Sequence, residues 1–85
     1  MTTTEVTYGQ LDRVLRSLGF SSRLVQGKPP ALHYEHKETG AFITVPPFPE
    51  SDRVLEHHLV TVRVTLDGFG IADPIAFAAQ VQKAG

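Results

Sequence analysis

Cysteine and tryptophan are both absent from this chain of 85 residues. Without cysteine there can be no disulfide bond, no thiolate nucleophile and no cysteine-ligated zinc. The chain also lacks any run of about 18 apolar residues, the length that a helix needs to cross a membrane. Its first residues show neither the basic segment nor the apolar segment of a secretory signal peptide. We therefore expect a cytoplasmic protein without membrane contacts.

Charged residues of both signs are also few, at 20% of the chain. The formal net charge is -1, so the field of the whole protein does not attract phosphate, and any nucleic-acid binding must come from local charge placement. Basic residues outnumber acidic ones by two over residues 8–45, and acidic residues outnumber basic ones by two over residues 46–85. A content of 41% hydrophobic residues excludes a disordered chain, and the length predicts one small domain.

The first regular segment is an amphipathic helix, predicted over residues 8–18. Thr7 and Gln10 have the spacing of a capping box, in which each side chain bonds the backbone amide of the other residue. Gly19 follows at the position where a left-handed residue ends many helices. The apolar stripe of this helix comprises Leu11, Val14, Leu15 and Leu18.

Three short strands are predicted next, over residues 22–26, 32–36 and 41–45. Their short connections, rich in Gly and Pro, require antiparallel pairing. Alternation along the middle strand separates its two faces. One face carries Leu32, Tyr34 and His36, and the other carries Ala31, His33 and Glu35.

Two further helices are predicted over residues 54–67 and 75–83. Ser51 or Asp52 is expected to cap the first of them, and Asp73, followed by proline, is expected to begin the second. The element order α-β-β-β-α-α predicts an α+β fold, with a three-stranded antiparallel sheet backed by helices. We expect a disordered segment over residues 1–6, a domain over residues 7–71, and a helical extension over residues 72–85 that packs on the domain.

The helix over residues 54–67 carries two apolar stripes. Its main stripe comprises Leu55, Leu59, Val62 and Leu66. Val60 and Val64 lie on the opposite side, and we expect Phe77 and Val81 of the last helix to help cover them, within the chain or across a dimer axis. The predicted core comprises Leu11, Leu15, Leu18, Phe20, Leu24, Tyr34, Ile43, Leu59, Val62 and Leu66.

Several short motifs follow one another between Gln10 and Ile71. In chain order they are Leu18-Gly19-Phe20, Arg23-Leu24-Val25-Gln26-Gly27, Tyr34-Glu35-His36, Ile43-Thr44-Val45-Pro46 and Phe69-Gly70-Ile71. Their order and spacing resemble the HicA toxin family, small α-β-β-β-α proteins with a fold like that of double-stranded-RNA-binding domains. The resemblance implies an mRNA interferase that works without a metal and is silenced by an antitoxin partner.

The resemblance also implies a catalytic histidine in a Gly-Ser-His motif at the start of the second strand. An imidazole there can transfer protons near neutral pH. The corresponding positions of this chain hold Pro29-Pro30-Ala31-Leu32. Neither Ala31 nor Leu32 can transfer a proton, so we expect the scaffold to be kept without ribonuclease activity.

His33 is the candidate to replace the missing histidine, because it shares a strand face with Ala31, and Glu35 on that face could orient its ring. The alternative is a solvated pair of neighbouring side chains with no catalytic role. The candidate nucleic-acid surface comprises Arg23, Lys28, His33 and Lys37. A small basic surface of this kind supports weak, salt-dependent binding, and an ordinary solvated face explains it equally well.

The other histidines do not predict a metal site. His57 and His58 are adjacent and diverge by about 100° on a helix, whereas a helical zinc pair needs a spacing of four residues. His36 closes a hairpin, and His58 is expected at the edge of the core in a hydrogen bond. We expect neither a metal nor another cofactor.

Two functions remain open from the sequence. The first is an RNA-binding module derived from the toxin scaffold, and the second is a protein-interaction or regulatory module that keeps only the scaffold. The near-neutral charge, the Pro29-Pro30-Ala31 segment and the extra last helix favour the second. Its partner would be an antitoxin-like protein or a second copy of the chain.

Overall fold

A computed structural model describes residues 6–47 and 49–84 of the chain. The elements are α1 (Tyr8–Ser17), β1 (Phe20–Val25), β2 (Ala31–His36), β3 (Phe42–Val45), α2 (Glu56–Gly68) and α3 (Pro74–Ala84). This order confirms the predicted α+β fold. None of the helices in the described ranges has the length and apolarity that a membrane crossing needs.

The expected disorder of residues 1–6 falls mainly on residues 1–5, which lie outside the described residues. Val6 is described, and it is buried. Its carbonyl accepts a hydrogen bond from the Val54 N–H at 2.7 Å, so the expectation of disorder is wrong at Val6.

The sheet has the strand order β1-β2-β3, and both pairings are antiparallel. Phe20 lies opposite His36 in the first pairing, and Leu32 lies opposite Val45 in the second. The alternation predicted for β2 is confirmed, because Tyr34 and His36 are buried while the Glu35 side chain is exposed. The sheet therefore has one face in the core and one open face.

Both ends of α1 form as predicted. The Thr7 hydroxyl accepts a hydrogen bond from the Gln10 N–H at 3.2 Å, and the Gln10 side-chain oxygen accepts one from the Thr7 N–H at 2.9 Å. Gly19 has φ +101°, and a Cβ at this position would lie 3.2 Å from the His36 Nε2 atom. Only glycine suits both the left-handed backbone and this close approach.

The predicted cap of α2 is wrong. Helix α2 begins after Leu55, which acts as its N-cap without a side-chain hydrogen bond. The segment that contains Ser51 and Asp52 instead serves α1: the Asp52 carbonyl accepts from the Tyr8 N–H at 2.9 Å. The first N–H groups of a helix need such acceptors. This segment therefore caps the start of α1 and not the start of α2.

Most of the predicted core is confirmed. Leu18 and Leu59 are partly buried against it, and Ile43 is buried as predicted, whereas its neighbour Phe42 is exposed. Leu24 is wrong, because 52% of this residue is exposed. It points to the same sheet face as Tyr34 but lies near the end of an edge strand. The buried hydrophobic residues are Val6, Tyr8, Leu11, Val14, Leu15, Phe20, Tyr34, Ala41, Ile43, Val45, Val54, Val62, Leu66, Phe77 and Val81.

Helix α3 packs against α1 and α2. The Asp73 carboxylate accepts a hydrogen bond from the Ala76 N–H at 2.7 Å, which confirms the predicted N-cap. Phe77 and Val81 are buried, as predicted. The prediction that α3 covers the second stripe of α2 is wrong, since Val60 and Val64 remain 43% and 65% exposed. Both buried side chains of α3 join the main core instead.

Burial of α3 in the core predicts a stability effect. Phe77→Ala should lower the free energy of unfolding by about 3–5 kcal/mol, because it leaves a cavity where a buried ring was. Ile75→Ala, on the same helix at a position that is 83% exposed, should change it by no more than about 0.5 kcal/mol. Urea denaturation followed by circular dichroism measures both. Equal losses in the two variants would contradict the packing of α3.

Candidate nucleic-acid interface

The open face of the sheet consists of the side chains that alternate away from the helices. The register places on it Ser21, Arg23 and Val25 of β1, Ala31, His33 and Glu35 of β2, and Phe42 and Thr44 of β3. Phe42, the first residue of the edge strand β3, is 61% exposed, an unusually high exposure for an aromatic ring. We call this set of side chains the open sheet face.

The His33 and Phe42 rings form the aromatic part of the open sheet face. Their centroids lie 5.6 Å apart with an interplanar angle of 29°, which is a stacked arrangement. The His33 Nδ1 atom lies 3.3 Å from the Thr44 hydroxyl oxygen. The exposed Phe42 ring presents a π surface that a planar group can stack on.

The four residues of the predicted basic patch are only partly brought together. Arg23 lies directly opposite His33 in the β1-β2 register. Lys28 lies in the loop between these strands, and Lys37 follows β2 at the opposite end of the sheet. The length of β2, about 17 Å or more, separates these two lysines. Arg23 and His33 therefore form the centre of the patch, with one lysine at each end.

The hypothesised pairing of His33 with Glu35 is not formed. The His33 ring bonds Thr44 instead, and Glu35 lies opposite Phe42 in the register. Ala31 begins β2 opposite Val25. Its methyl group and the preceding two prolines offer no group that transfers a proton there.

His36 and His58 form hydrogen bonds that connect elements of the fold. The His36 Nε2 atom lies 3.1 Å from the Leu18 carbonyl oxygen, and its Nδ1 atom lies 2.9 Å from the Thr39 hydroxyl. His58 lies 2.9 Å from the Tyr8 hydroxyl through Nδ1, which confirms its predicted place at the core edge. Burial, and secondarily the neighbouring His57, lowers the pKa of His58. No group of metal-ligating side chains forms among the residues that the structure describes.

A polar network on the helix side of the sheet was missed in the sequence. The Tyr34 hydroxyl donates to Asp12 Oδ1 at 2.7 Å, and Arg16 Nε donates to Asp12 Oδ2 at 3.0 Å. Arg16 also donates to the Ser22 hydroxyl at 2.6 Å. The spacing of Asp12 and Arg16 on α1 was a visible signal, but their contact with β1 and β2 needed the tertiary structure.

These side chains line a cleft of about 200 Å³ between α1, the sheet and the residues after β3. Its lining also includes the apolar side chains of Leu11 and Leu32 and the acidic residue Glu50. Burial, followed by the hydrogen bond to Asp12, raises the pKa of Tyr34 above its ordinary value of 10.0. The tyrosine is neutral at physiological pH, and its hydroxyl ties β2 to α1.

The raised pKa of Tyr34 predicts a loss of stability at high pH. Above about pH 10 the unfolded chain releases the tyrosine proton while the folded chain retains it, so stability falls as pH rises. The additional slope should approach about 1.4 kcal/mol per pH unit for this one proton. Urea denaturation between about pH 8 and pH 11 should show a weaker slope in Tyr34→Phe. Identical slopes in the two proteins would refute the assignment.

Comparison of the chain with protein-family models, with curated proteins and with solved structures finds no match in any of the three. The functional assignment therefore depends on the geometry of the open sheet face and on the residues that line it.

Proposed function

We propose that the chain is a small single-stranded-RNA-binding module, derived from a HicA-like scaffold, that does not cleave RNA. The observation that carries this proposal is the exposed Phe42 ring stacked on His33, with Arg23 beside it on the open sheet face. Single-stranded nucleic acids bind through this combination of aromatic rings and basic side chains.

The aromatic rings supply most of the expected affinity. Stacking of a base on an aromatic side chain contributes about 1–3 kcal/mol and tolerates any base, because every base has a π face. Phe42 is 61% exposed, so a base can reach its ring without moving another element. His33 extends the platform, and its hydrogen bond to Thr44 holds the ring in place.

Basic side chains supply the contacts to phosphate. Arg23 lies next to the aromatic platform, and Lys28 and Lys37 lie beyond the two ends of β2. Glu35 is the acidic residue on the open sheet face, and the net charge of the chain is -1. Few phosphate contacts in a protein of this charge support weak binding that depends strongly on salt.

The absence of cleavage follows from the chemistry at the start of β2. Strand cleavage at a ribose 2′-OH needs a group that accepts and returns a proton. Ala31 offers none, and among the described residues His33 contacts neither a carboxylate nor a second histidine. The proposed module therefore holds RNA and leaves it intact.

A protein-interaction function is the second candidate, favoured by the position of β1 at the edge of the sheet. Leu24 and Val25 on this edge strand are 52% and 42% exposed. An exposed edge with unpaired backbone groups accepts an additional strand from another protein. The partner in this case would be an antitoxin-like protein.

Fluorescence anisotropy with a labelled oligouridine of about 12 nucleotides tests RNA binding. Binding should be present at about 50 mM salt and strongly reduced at about 200 mM. Phe42→Ala should weaken it about tenfold or more, because a stacking platform is lost. Phe69→Ala is the matched control, since Phe69 is half-exposed on a different surface. No binding at low salt, or equal losses in both variants, would refute the proposal.

The same RNA should be recovered at full length after incubation with the protein. Cleavage that His33→Ala abolishes in a folded protein would refute the absence of ribonuclease activity and would assign His33 as catalytic.

Binding of a partner strand at the β1 edge should respond to different substitutions. Suppose that the native chain captures a partner protein. If Leu24→Lys no longer captures it and Phe42→Ala still does, the result would support the second candidate.

A further inference from the structure

The outer side of α2 forms a shallow groove with the start of α3. The groove has a volume of about 300 Å³, and its lining comprises Val60, Arg63, Val64, Asp67 and Pro74. The four residues from α2 follow the spacing that places side chains on one helix face. We call these five residues the α2 groove.

Its apolar side chains remain accessible after the fold is complete. Val60 and Val64 are 43% and 65% exposed, and the neighbouring Ile75 is 83% exposed. Helix α3 buries Phe77 and Val81 in the core and leaves these residues open. Adjoining exposed apolar side chains rimmed by charges are typical of an interaction surface.

The two charged residues of the groove are not used within the described part of the chain. Neither the Arg63 guanidinium nor the Asp67 carboxylate forms an ion pair or side-chain hydrogen bond there. Asp12 and Arg16 on α1 have the same spacing in the reverse order, and these two bond at 3.0 Å. An acidic residue placed before a basic one is the favourable order on a helix, which is consistent with this contrast.

We propose that the α2 groove binds the α2 groove of a second copy, with the two α2 helices antiparallel. A two-fold axis near Thr65 places Arg63 of one copy opposite Asp67 of the other, and the symmetry repeats this pair on the other side of the axis. Val64 of each copy then lies beside the axis. Two ion pairs flank an apolar centre, the usual arrangement of a protein interface.

Charge complementarity identifies a second copy as the occupant. A face with one basic and one acidic residue, separated by one helical turn, matches itself when it is turned end to end. Helix α2 has 13 residues and is therefore about 20 Å long, so the contact is small. Interfaces of this size support weak association, and we expect dissociation constants in the micromolar range. The dimer uses neither Phe42 nor Arg23, so it is independent of the proposed RNA binding.

Sedimentation velocity over a range of protein concentrations tests the dimer. In the dimer of Arg63→Glu, the new glutamate of each copy faces Asp67 of the other. In the dimer of Asp67→Arg, the new arginine of each copy faces Arg63 of the other. Each should weaken association about tenfold or more, because like charges then face each other. An equal mixture of the two single variants should form a mixed dimer, and the double variant should regain self-association.

Lys83→Glu is the matched control, since it reverses a charge on an exposed residue of α3 outside the groove. It should associate as the native chain does. Circular dichroism of each variant verifies its fold, and recovery in the mixture makes the test independent of any loss of stability in one variant. A native chain that is monomeric at all concentrations, an unrecovered mixture, or an equal effect of Lys83→Glu would overturn the proposal.

Discussion

The helices cover the sheet on one side only, and the other features of the molecule depend on this constraint. The alternating side chains of β2 consequently have two environments: Tyr34 is 2% exposed in the core, whereas Glu35 on the next position faces solvent. A chain of 85 residues buries a smaller fraction of its surface than a larger domain does. It builds one core and leaves His33 and Phe42 on a surface where other molecules can reach them.

Features with a local cause could be predicted from the sequence. The capping box of Thr7 and Gln10, the cap at Asp73 and the alternation along β2 each depend on residues a few positions apart. Features set by distant partners could not. The Asp52 carbonyl bonds the first turn of α1, and no local signal distinguishes that role from a cap of α2. The prediction that Leu24 is in the core was wrong for the same reason, because its exposure depends on how far the helices extend over the sheet.

In the candidate site, too, the features with a local cause could be predicted and those that depend on distant residues could not. Alternation placed His33 on one strand face with Ala31 and Glu35, and Arg23 was assigned to the basic patch from its charge and its place in the neighbouring strand. The stacking of His33 on Phe42 depends on the β2-β3 register. A shift of β3 by one residue would move the Phe42 side chain to the opposite face of the sheet. The bond between Tyr34 and Asp12 joins residues 22 positions apart, and only the packing of α1 on the sheet creates it.

The distribution of charge is compatible with two separate binding surfaces. The excess of basic residues lies in the half of the chain that contains the sheet, where the proposed RNA contacts are. The acidic excess lies in the half with α2 and α3, yet the α2 groove itself balances Arg63 against Asp67. A net charge of -1 gives little repulsion between copies, which favours the proposed self-association through weak complementary contacts. A dimer formed through α2 would carry two open sheet faces, and one RNA strand long enough to reach both would bind more tightly than either face alone allows.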